Sequence, residues 1–171
     1  MKEAQNIFTH NRKAYRATWI TTDSLVEFSP ITQVYGVCFD SHGHILICLR
    51  PGSTWNLPGG SPEPNETLEQ TLAREFMEEV NAEIKNLKPL GVQKVELVDS
   101  ETKGDKPLYQ ARFFCKLVRS LPQKTDPACG EIRERKFVSS DEINQYIQWG
   151  DVGKEIFSQA YRYFLQERDK N

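Results

Sequence analysis

Two strand-like apolar runs predict a β-hairpin in the first third of the chain. The runs ITQVYGVCFD and HILICLR have the apolar content and spacing of strands. The SHGH between them carries the glycine that a tight turn favours. The sequence therefore predicts a hairpin that begins near Ile31.

The first thirty residues have a weaker pattern. RATWITTDSLVEF predicts a short hairpin that turns at Thr22 and Asp23, with a helix or an extended arm before it. Several basic and aromatic side chains of this extension either pair with a second subunit, which would give a homodimer, or cover the sheet: Arg12, Lys13, Arg16 and Trp19.

Three more strands are predicted in the second half of the chain. LKPLGVQKVELVD and LYQARFFCKLV read as strands, joined by SETKGDKP, a polar loop with its own glycine and proline. A short strand around RERKFV follows them.

A shaped loop and a helix are predicted in the centre. PGSTWNLPGGSPEPNE is dense in proline and glycine, which is typical of a loop. Asn65 or Thr67 caps the following helix, and Glu66 falls in its first turn, where an acidic side chain suits the helix dipole. The helix ends before Asn81, because asparagine adopts the left-handed conformation at low cost.

Two helices complete the predicted elements. SSDEINQYIQ begins with a capping pattern at Ser140, and KEIFSQAYRYFLQER is amphipathic. Strands flank a central helix, and a further helix closes the chain. This order predicts an α/β fold with a mixed central sheet and helices on both faces.

The composition is that of one globular domain. A chain of 171 residues suits a single domain, with a core over residues 31–166 and an N-terminal extension over residues 1–30. Hydrophobic residues make up 38% and charged residues 27%. Because no apolar run approaches the ~18 residues of a membrane span, we expect no membrane partner. The polar N-terminus does not resemble a secretory signal, so we expect a cytoplasmic location.

The net charge argues against a nucleic-acid-binding protein, and the cysteine usage argues against a zinc or redox protein. Twenty-two basic and 24 acidic residues leave a net charge of -2, which gives no broad attraction to nucleic acid. The four cysteines form no C-x-x-C pair and are typical of reduced thiols rather than of a zinc or redox site: Cys38, Cys48, Cys115 and Cys129. The three histidines are predicted to be surface residues rather than ligands: His10, His42 and His44.

Candidate chemistry lies in the central helix, where AREFMEEV crowds Glu75, Glu78 and Glu79. At ~100° per residue, their side chains share an arc of roughly 100° beside the apolar face. Like charges at this spacing repel, and partial burial raises carboxylate pKa values unless a cation offsets it. The cluster is either a solvated helix face or a site for a hard divalent cation, Mg²⁺ or Mn²⁺.

The spacing around this cluster resembles the box of the Nudix hydrolase superfamily, G-x5-E-x7-R-E-U-x-E-E-x-G-U, where U is apolar. GSPEPNETLEQTLAREFMEEVNA matches six fixed positions: Gly60, Glu66, Arg74, Glu75, Glu78 and Glu79. The second glycine of the box is Asn81 here, which adopts the same left-handed conformation at modest cost. WNLPGG and GEIRERKFVSSDEI also look like the flanks usual in this family.

The resemblance implies a MutT-like pyrophosphohydrolase with an α/β/α sandwich fold. Such an enzyme uses Mg²⁺ or Mn²⁺ to cleave a nucleoside diphosphate linked to another group, by attack of water on phosphorus. It implies that the metal is held by the Gly60 carbonyl and by Glu75, Glu78 and Glu79. Arg74 would orient a glutamate in catalysis. Glu66 either supports this site or interacts only with the helix dipole.

Residues outside the box are candidates for the base and for substrate contacts. Glu131, just before a strand expected near the site, is our candidate general base. Arg50, at a strand end, is a candidate phosphate contact. Tyr35 and Phe113 are candidates to stack on a nucleobase, although an aromatic residue in a strand also suits the core.

Two other interpretations stay open. The chain is a non-catalytic nucleotide-binding or sensing module on the same fold, or the acidic helix is purely structural. The substrate class also stays open among nucleoside triphosphates, nucleotide sugars, ADP-ribose and dinucleoside polyphosphates, because specificity is set outside the box.

Overall fold

Eight strands and three helices make up the described part of the chain, residues 4–98 and 106–169 of a computed structural model. In chain order, the elements are β1 (Gln5–His10), β2 (Lys13–Thr21), β3 (Ile31–Phe39), β4 (Ile45–Leu49), β5 (Gly59–Gly60), α1 (Leu68–Val80), β6 (Ala82–Leu97), β7 (Leu108–Ser120), β8 (Glu134–Val138), α2 (Ile143–Tyr146) and α3 (Gly150–Arg168). Most of the predicted loop SETKGDKP lies outside the described residues.

All eight strands belong to one mixed sheet. Seven of them follow the order β1-β2-β6-β7-β3-β4-β8, and β5 pairs with β3. β3 and β7 run parallel, whereas the other pairs are antiparallel. The prediction of a mixed central sheet is confirmed.

Alternation along the central strands directs side chains to two separate cores. Val37, Phe39 and Phe114 pack in one core with the buried residues of α3. Val34 and Phe113 pack in the other with the buried residues of α1. Because successive strand residues point to opposite faces, α1 and α3 cover opposite faces of the sheet. The prediction of helices on both faces is confirmed.

The hairpin predicted from Ile31 is confirmed as β3 and β4. Its turn contains Gly43 at φ 87°, a backbone conformation that strains residues with a Cβ atom. His42 and His44 flank this glycine and are exposed, as expected.

The position of the N-terminal turn was predicted wrongly. β1 and β2 form a hairpin that turns at Asn11 and Arg12, not at Thr22 and Asp23. Asn11 and Arg12 both adopt positive φ, 48° and 63°, without the glycine or proline by which turns are usually found in a sequence. β2 then pairs with β6, so the extension lengthens the sheet.

The helix predicted from Ser140 is only one turn long. α2 has no side-chain cap, and Ser139, rather than Ser140, donates to the Glu142 carboxylate at 2.9 Å. α3 begins at Gly150, earlier than the predicted start at Lys154. Neither α3 nor another helix in the described ranges has the length and apolarity needed to cross a membrane.

Candidate active site

α1 is fixed at both ends by its own sequence. The Thr67 hydroxyl accepts the Gln70 N–H, and the Gln70 side chain accepts the Thr67 N–H, which makes a capping box. Of the two predicted caps, Thr67 is the one used. Asn81 ends the helix in the left-handed conformation, φ 46° and ψ 53°, as predicted. The helix therefore presents its acidic residues from a defined start to a defined end.

Arg74 lies at the centre of an ion-pair network on α1. Its Nε donates to Glu66 Oε1 at 2.8 Å, and its Nη1 donates to Glu75 Oε1 at 3.0 Å and to Glu78 Oε2 at 3.2 Å. Its Nη2 donates to the Ser61 carbonyl at 3.1 Å. One guanidinium thus holds three carboxylates and ties the helix to the loop before it.

Glu66 lies before the helix, not in its first turn as predicted, because Thr67 is the N-cap. Besides Arg74, its carboxylate accepts the Thr71 hydroxyl at 2.8 Å and the Glu63 N–H at 3.0 Å. Hydrogen bonding to Arg74 is the main reason that the pKa of Glu66 falls to about 2. Glu66 is therefore a charged anchor for Arg74.

Glu79 is the most buried carboxylate of the cluster, with 7% of its surface exposed. Its Oε2 accepts the Gly59 N–H at 3.0 Å, and its Oε1 lies 2.8 Å from Arg133 Nη2. Burial raises the pKa of Glu79 to about 7, although the Gly59 N–H and Arg133 act in the opposite direction. A nearby cation would stabilise the ionised form of such a carboxylate.

Arg133 and Asp126 are site residues that the sequence reasoning missed. Asp126 is 1% exposed, and its Oδ2 accepts from Arg133 Nε at 2.7 Å. Burial raises the pKa of Asp126, but the hydrogen bonds from Arg133 and the Ala128 N–H outweigh it and leave the pKa lowered. The Asp-Pro pair at 126–127 indicates a turn. No local pattern shows that this turn folds back onto Glu79.

Gly60 provides space for a carboxylate. A Cβ atom at this position would lie 2.2 Å from Glu75 Oε1, so only glycine lets the two residues approach this closely. Burial raises the pKa of Glu75, against the effect of Arg74. The glycine therefore shapes a cradle for the acidic cluster.

The donor set fits a hard divalent cation. Carboxylates and a backbone carbonyl are the ligands that Mg²⁺ and Mn²⁺ prefer, and partly buried carboxylates with raised pKa values gain most from a cation. The residues that could hold it are those predicted: Gly60, Glu75, Glu78 and Glu79.

A second group of ligand-type side chains lies in the β3–β4 turn. Single ligand atoms of Asp40, His42 and His44 all fall within 4.8 Å of one another. Asp40 Oδ1 accepts the N–H groups of both histidines at 2.8 Å. The hydrogen bonding of the turn therefore accounts for this grouping.

Glu131 and Arg50 contact each other. Arg50 Nε lies 3.9 Å from Glu131 Oε2, and about half of each side chain is exposed. Within residues 4–98 and 106–169, no hydrogen bond or ion pair joins either residue to Glu75, Glu78 or Glu79. The general-base and phosphate-contact roles of the two residues stay predictions.

The structure separates the two aromatic candidates. Tyr35 pairs with Gly59 and lines a cavity of about 280 Å³. Phe113 is 1% exposed and packs in the core beneath α1, on the other face of the sheet. Phe113 occupies a core position with no ring face open to a base, whereas Tyr35 remains accessible from the cavity.

Comparison with known sequences assigns the family. The NUDIX domain family matches residues 30–160, which is most of the chain. This chain therefore belongs to the NUDIX domain family.

Two curated bacterial proteins are similar over the central part of the chain. An 8-oxo-dGTP diphosphatase of Proteus vulgaris is 43% identical over 54 residues, which cover 29% of this chain and 48% of the relative. The putative 8-oxo-dGTP diphosphatase YtkD of Bacillus subtilis is 39% identical over 66 residues, covering 33% and 42%. The chain thus spans less than half the length of the curated relatives it matches.

Solved structures share the fold over 78% to 95% of the chain. The Bacillus subtilis pyrophosphohydrolase BsRppH aligns with a TM-score of 0.67 at 18% identity, covering 95% of this chain and 98% of that one. The MutT protein of Methanosarcina mazei gives 0.55 at 22%, covering 78% and 94%. An ADP-ribose pyrophosphatase of Streptococcus suis gives 0.55 at 17%, covering 79% and 92%. At these identities, the likeness shows the Nudix α/β fold alone.

Proposed function

We propose that this chain is a Nudix hydrolase that uses Mg²⁺ or Mn²⁺ to cleave a nucleoside diphosphate linked to another group. The observation that carries the proposal is the Arg74 network, which gathers Glu75 and Glu78 of α1 and Glu66 just before it around one guanidinium. Gathering like charges has an electrostatic cost. A metal site that neutralises substrate phosphates would explain why the carboxylates are held together despite this cost.

In this proposal the Gly60 carbonyl, Glu75, Glu78 and Glu79 hold the cation. A bound divalent cation would neutralise phosphate charge and lower the pKa of a bound water. Other residues of the chain would orient these ligands. Arg74 fixes the orientation of two ligands, and Arg133 with the Gly59 N–H fixes that of Glu79.

Glu131 is proposed as the general base that takes the proton of the attacking water, and Arg50 as a phosphate contact. Their mutual distance of 3.9 Å supports this pairing, because a phosphate that binds Arg50 would then lie beside the Glu131 carboxylate. Replacing a general base costs typically ~10²- to 10⁴-fold in rate. We expect Glu131→Gln to lower kcat by such a factor with little change in metal binding. An unchanged kcat would exclude Glu131 as the base.

The substrate class is narrowed first by the curated relatives. Both are named for 8-oxo-dGTP, which supports nucleoside triphosphates, including oxidised ones, as the first compounds to assay. Nucleotide sugars, ADP-ribose and dinucleoside polyphosphates complete the panel, because the shared fold alone does not select among them.

The decisive experiment measures phosphate, pyrophosphate or nucleoside monophosphate release across this panel with Mg²⁺ or Mn²⁺. Glu78→Gln is the test variant, and Glu69→Gln is the matched control, since Glu69 lies exposed on the same helix. We expect selective turnover that Glu78→Gln abolishes and Glu69→Gln retains.

The competing interpretation is a nucleotide-binding module without turnover. It predicts metal and nucleotide binding by calorimetry, with no product from any compound in the panel. That result would overturn the proposed hydrolase activity.

A further inference from the structure

The loop between β7 and β8, residues 121–133, contains a buried aspartate. Asp126 has 1% of its surface exposed. Its Oδ1 accepts the Ala128 N–H at 2.8 Å, and its Oδ2 accepts from Arg133 Nε at 2.7 Å. Burying a carboxylate is costly unless charged and polar partners satisfy it, and these two donors do so. The loop therefore holds an ion pair that is largely shielded from water.

Arg133 joins this aspartate to a predicted metal ligand. While its Nε donates to Asp126, its Nη2 lies 2.8 Å from Glu79 Oε1. The Arg133 side chain is itself only 16% exposed. The donors of a guanidinium form a rigid planar fork, so the position of one bound carboxylate restrains the position of the other. Asp126 therefore restrains Glu79 through Arg133.

Arg133 determines where the second oxygen of Glu79 lies. The Glu79 Oε2 atom accepts the Gly59 N–H at 3.0 Å and lies 3.8 Å from Cys48 Sγ. Those contacts fix one carboxylate oxygen. Within residues 4–98 and 106–169, Arg133 is the only ion-pair partner of Glu79, so the guanidinium places the other oxygen.

The same loop carries the candidate base, Glu131. The Asp126 N–H donates to the Glu131 carbonyl at 2.8 Å, and the two residues form an antiparallel bridge. The Asp126 carbonyl accepts the Gly130 N–H, also at 2.8 Å. These bonds close residues 126–131 into a tight turn. Asp126 therefore positions Glu131 through its backbone and Arg133 through its carboxylate.

β4 relates the two acidic side chains in space. Cys48, in β4, contacts Glu79, and Arg50, two residues further on, contacts Glu131. Alternate residues of a strand point to the same face of a sheet. The contacts with this segment thus place Glu131 on the same face as Glu79.

We infer that Asp126 is a positioning residue that sets the metal ligand Glu79 and the general base Glu131 together. The inference rests on the proposed function. Asp126 acts through Arg133 and through its own backbone, and it does not contact the substrate. Loss of its contact with Arg133 should weaken metal binding, because loss of a group that orients a metal ligand costs ~10- to 100-fold in affinity.

Arg133→Lys tests the restraint on Glu79 without a change of charge. Lysine keeps the positive charge, but its single nitrogen lacks the rigid fork that holds Asp126 and Glu79 together. We expect the Kd for Mn²⁺, measured by calorimetry on the full chain, to rise roughly 10- to 100-fold. Arg162→Lys, on an exposed part of α3, is the matched control and should keep the wild-type Kd. An unchanged Kd in Arg133→Lys would overturn the inference.

Asp126→Asn is combined with Arg133→Lys in a double-mutant cycle. Asparagine keeps an oxygen for the Ala128 N–H but replaces the charged acceptor of Arg133 Nε with an amide group. If Asp126 acts through Arg133, Asp126→Asn should raise the Kd for Mn²⁺ roughly tenfold more in wild type than in Arg133→Lys. Equal effects in the two backgrounds would show that Asp126 acts independently of Arg133 and would overturn the inference.

The metal Kd separates positioning from a loss of stability. Breaking a buried ion pair lowers the melting temperature whether or not the pair orients another group. The binding experiments are therefore made well below the melting temperature of every variant. Asp141→Asn, the same change at an exposed position, should match wild type in both Kd and melting temperature. A lower melting temperature in Asp126→Asn with an unchanged Kd would reduce Asp126 to a structural role and overturn the inference.

Turnover at saturating metal tests the effect on the base. Glu131→Gln should lower kcat with little change in metal binding, whereas Asp126→Asn should lower kcat and weaken metal binding as well. A wild-type kcat in Asp126→Asn at saturating Mn²⁺ would overturn the link between Asp126 and Glu131.

The inference and the proposed function fail in different ways. Metal binding that depends on Asp126 and Arg133, without turnover of any nucleotide, would uphold the positioning of Glu79 and overturn both the hydrolase and the base role of Glu131. Turnover with an unchanged metal Kd in both variants would uphold the hydrolase and overturn the inference. A wild-type chain that binds neither Mg²⁺ nor Mn²⁺ would overturn both.

Discussion

At the scale of single residues, the candidate site is a set of carboxylates held by two arginines. Arg74 reaches its partners from within α1, whereas Arg133 reaches Glu79 from the loop before β8. The first arrangement follows from helical spacing, so the sequence could predict it. The second depends on where a distant loop folds, and local patterns do not contain that information.

The raised pKa of Glu79 has a consequence for stability in metal-free protein. In the folded chain this pKa is about 7, against 4.5 for the ordinary group, so the folded state binds more protons than the unfolded state between these values. The stabilising contribution of Glu79 to the free energy of unfolding is fully present below pH 4.5. It falls by about 3 kcal/mol in total as the pH rises towards 7. Denaturant unfolding in EDTA at several pH values measures it.

Glu79→Gln isolates this contribution, because the amide does not titrate. The difference in the free energy of unfolding between wild type and variant should move steadily in favour of the variant from pH 4.5 to 7. A difference that stays constant across this range would show that Glu79 ionises as an ordinary glutamate.

Arg74 is expected to act through geometry rather than through charge alone. Arg74→Lys keeps the positive charge but loses the fork that contacts Glu66, Glu75 and Glu78 together. Because small misplacements of reacting groups cost ~10²-fold, we expect kcat to fall by about that factor. Arg162→Lys, on an exposed part of α3, is the matched control. Full activity in Arg74→Lys would show that Arg74 acts only through its positive charge.

At the scale of elements, the residue that ends α1 also joins this helix to a neighbouring loop. The Asn81 side chain donates to the Met77 carbonyl at 2.8 Å and accepts the Lys124 N–H at 2.6 Å. It thereby ties the helix to the loop that carries Asp126 and Arg133. Glycine, the usual residue of the family box, would provide the left-handed backbone but neither bond.

We therefore expect Asn81→Gly to destabilise the protein although it restores the family residue. Two lost hydrogen bonds, each worth ~0.5–1.5 kcal/mol, outweigh the relief of left-handed strain, so the net loss should be about 1 kcal/mol. Asn86→Gly is the control, because Asn86 also has positive φ, but its side chain makes only an exposed contact of 3.4 Å within the described residues. A melting temperature higher for Asn81→Gly than for wild type would contradict this account.

At the scale of the whole molecule, metal binding should be visible as stability. A ligand that binds only the folded state at ~100 times its Kd adds about 2.7 kcal/mol, which for this size raises Tm by roughly 5–10 °C. We expect Mg²⁺ or Mn²⁺ to do so for wild type and Glu69→Gln, and to have little effect on Glu78→Gln. Equal shifts in all three proteins would place the binding outside the acidic cluster.

Much of the fold could be predicted because its signals are local. The capping box at Thr67, the left-handed Asn81 and the β3–β4 turn each depend on a few adjacent residues. The N-terminal turn was predicted wrongly because Asn11 and Arg12 adopt positive φ without glycine or proline. Helix α2 is shorter than its capping pattern indicates, because Ser140 makes no cap.

The sequence by itself determined the acidic cluster, because a helix fixes Glu75, Glu78 and Glu79 relative to one another whatever surrounds it. Only the tertiary structure decided which β7 residue faces the cavity. The alternation in LYQARFFCKLV puts Phe113 on a wholly apolar face and Arg112 on the other face, but it does not show which elements cover either face. Pairing with β3 places Arg112 opposite Tyr35, and a contact between positions so distant in sequence depends on strand order and register.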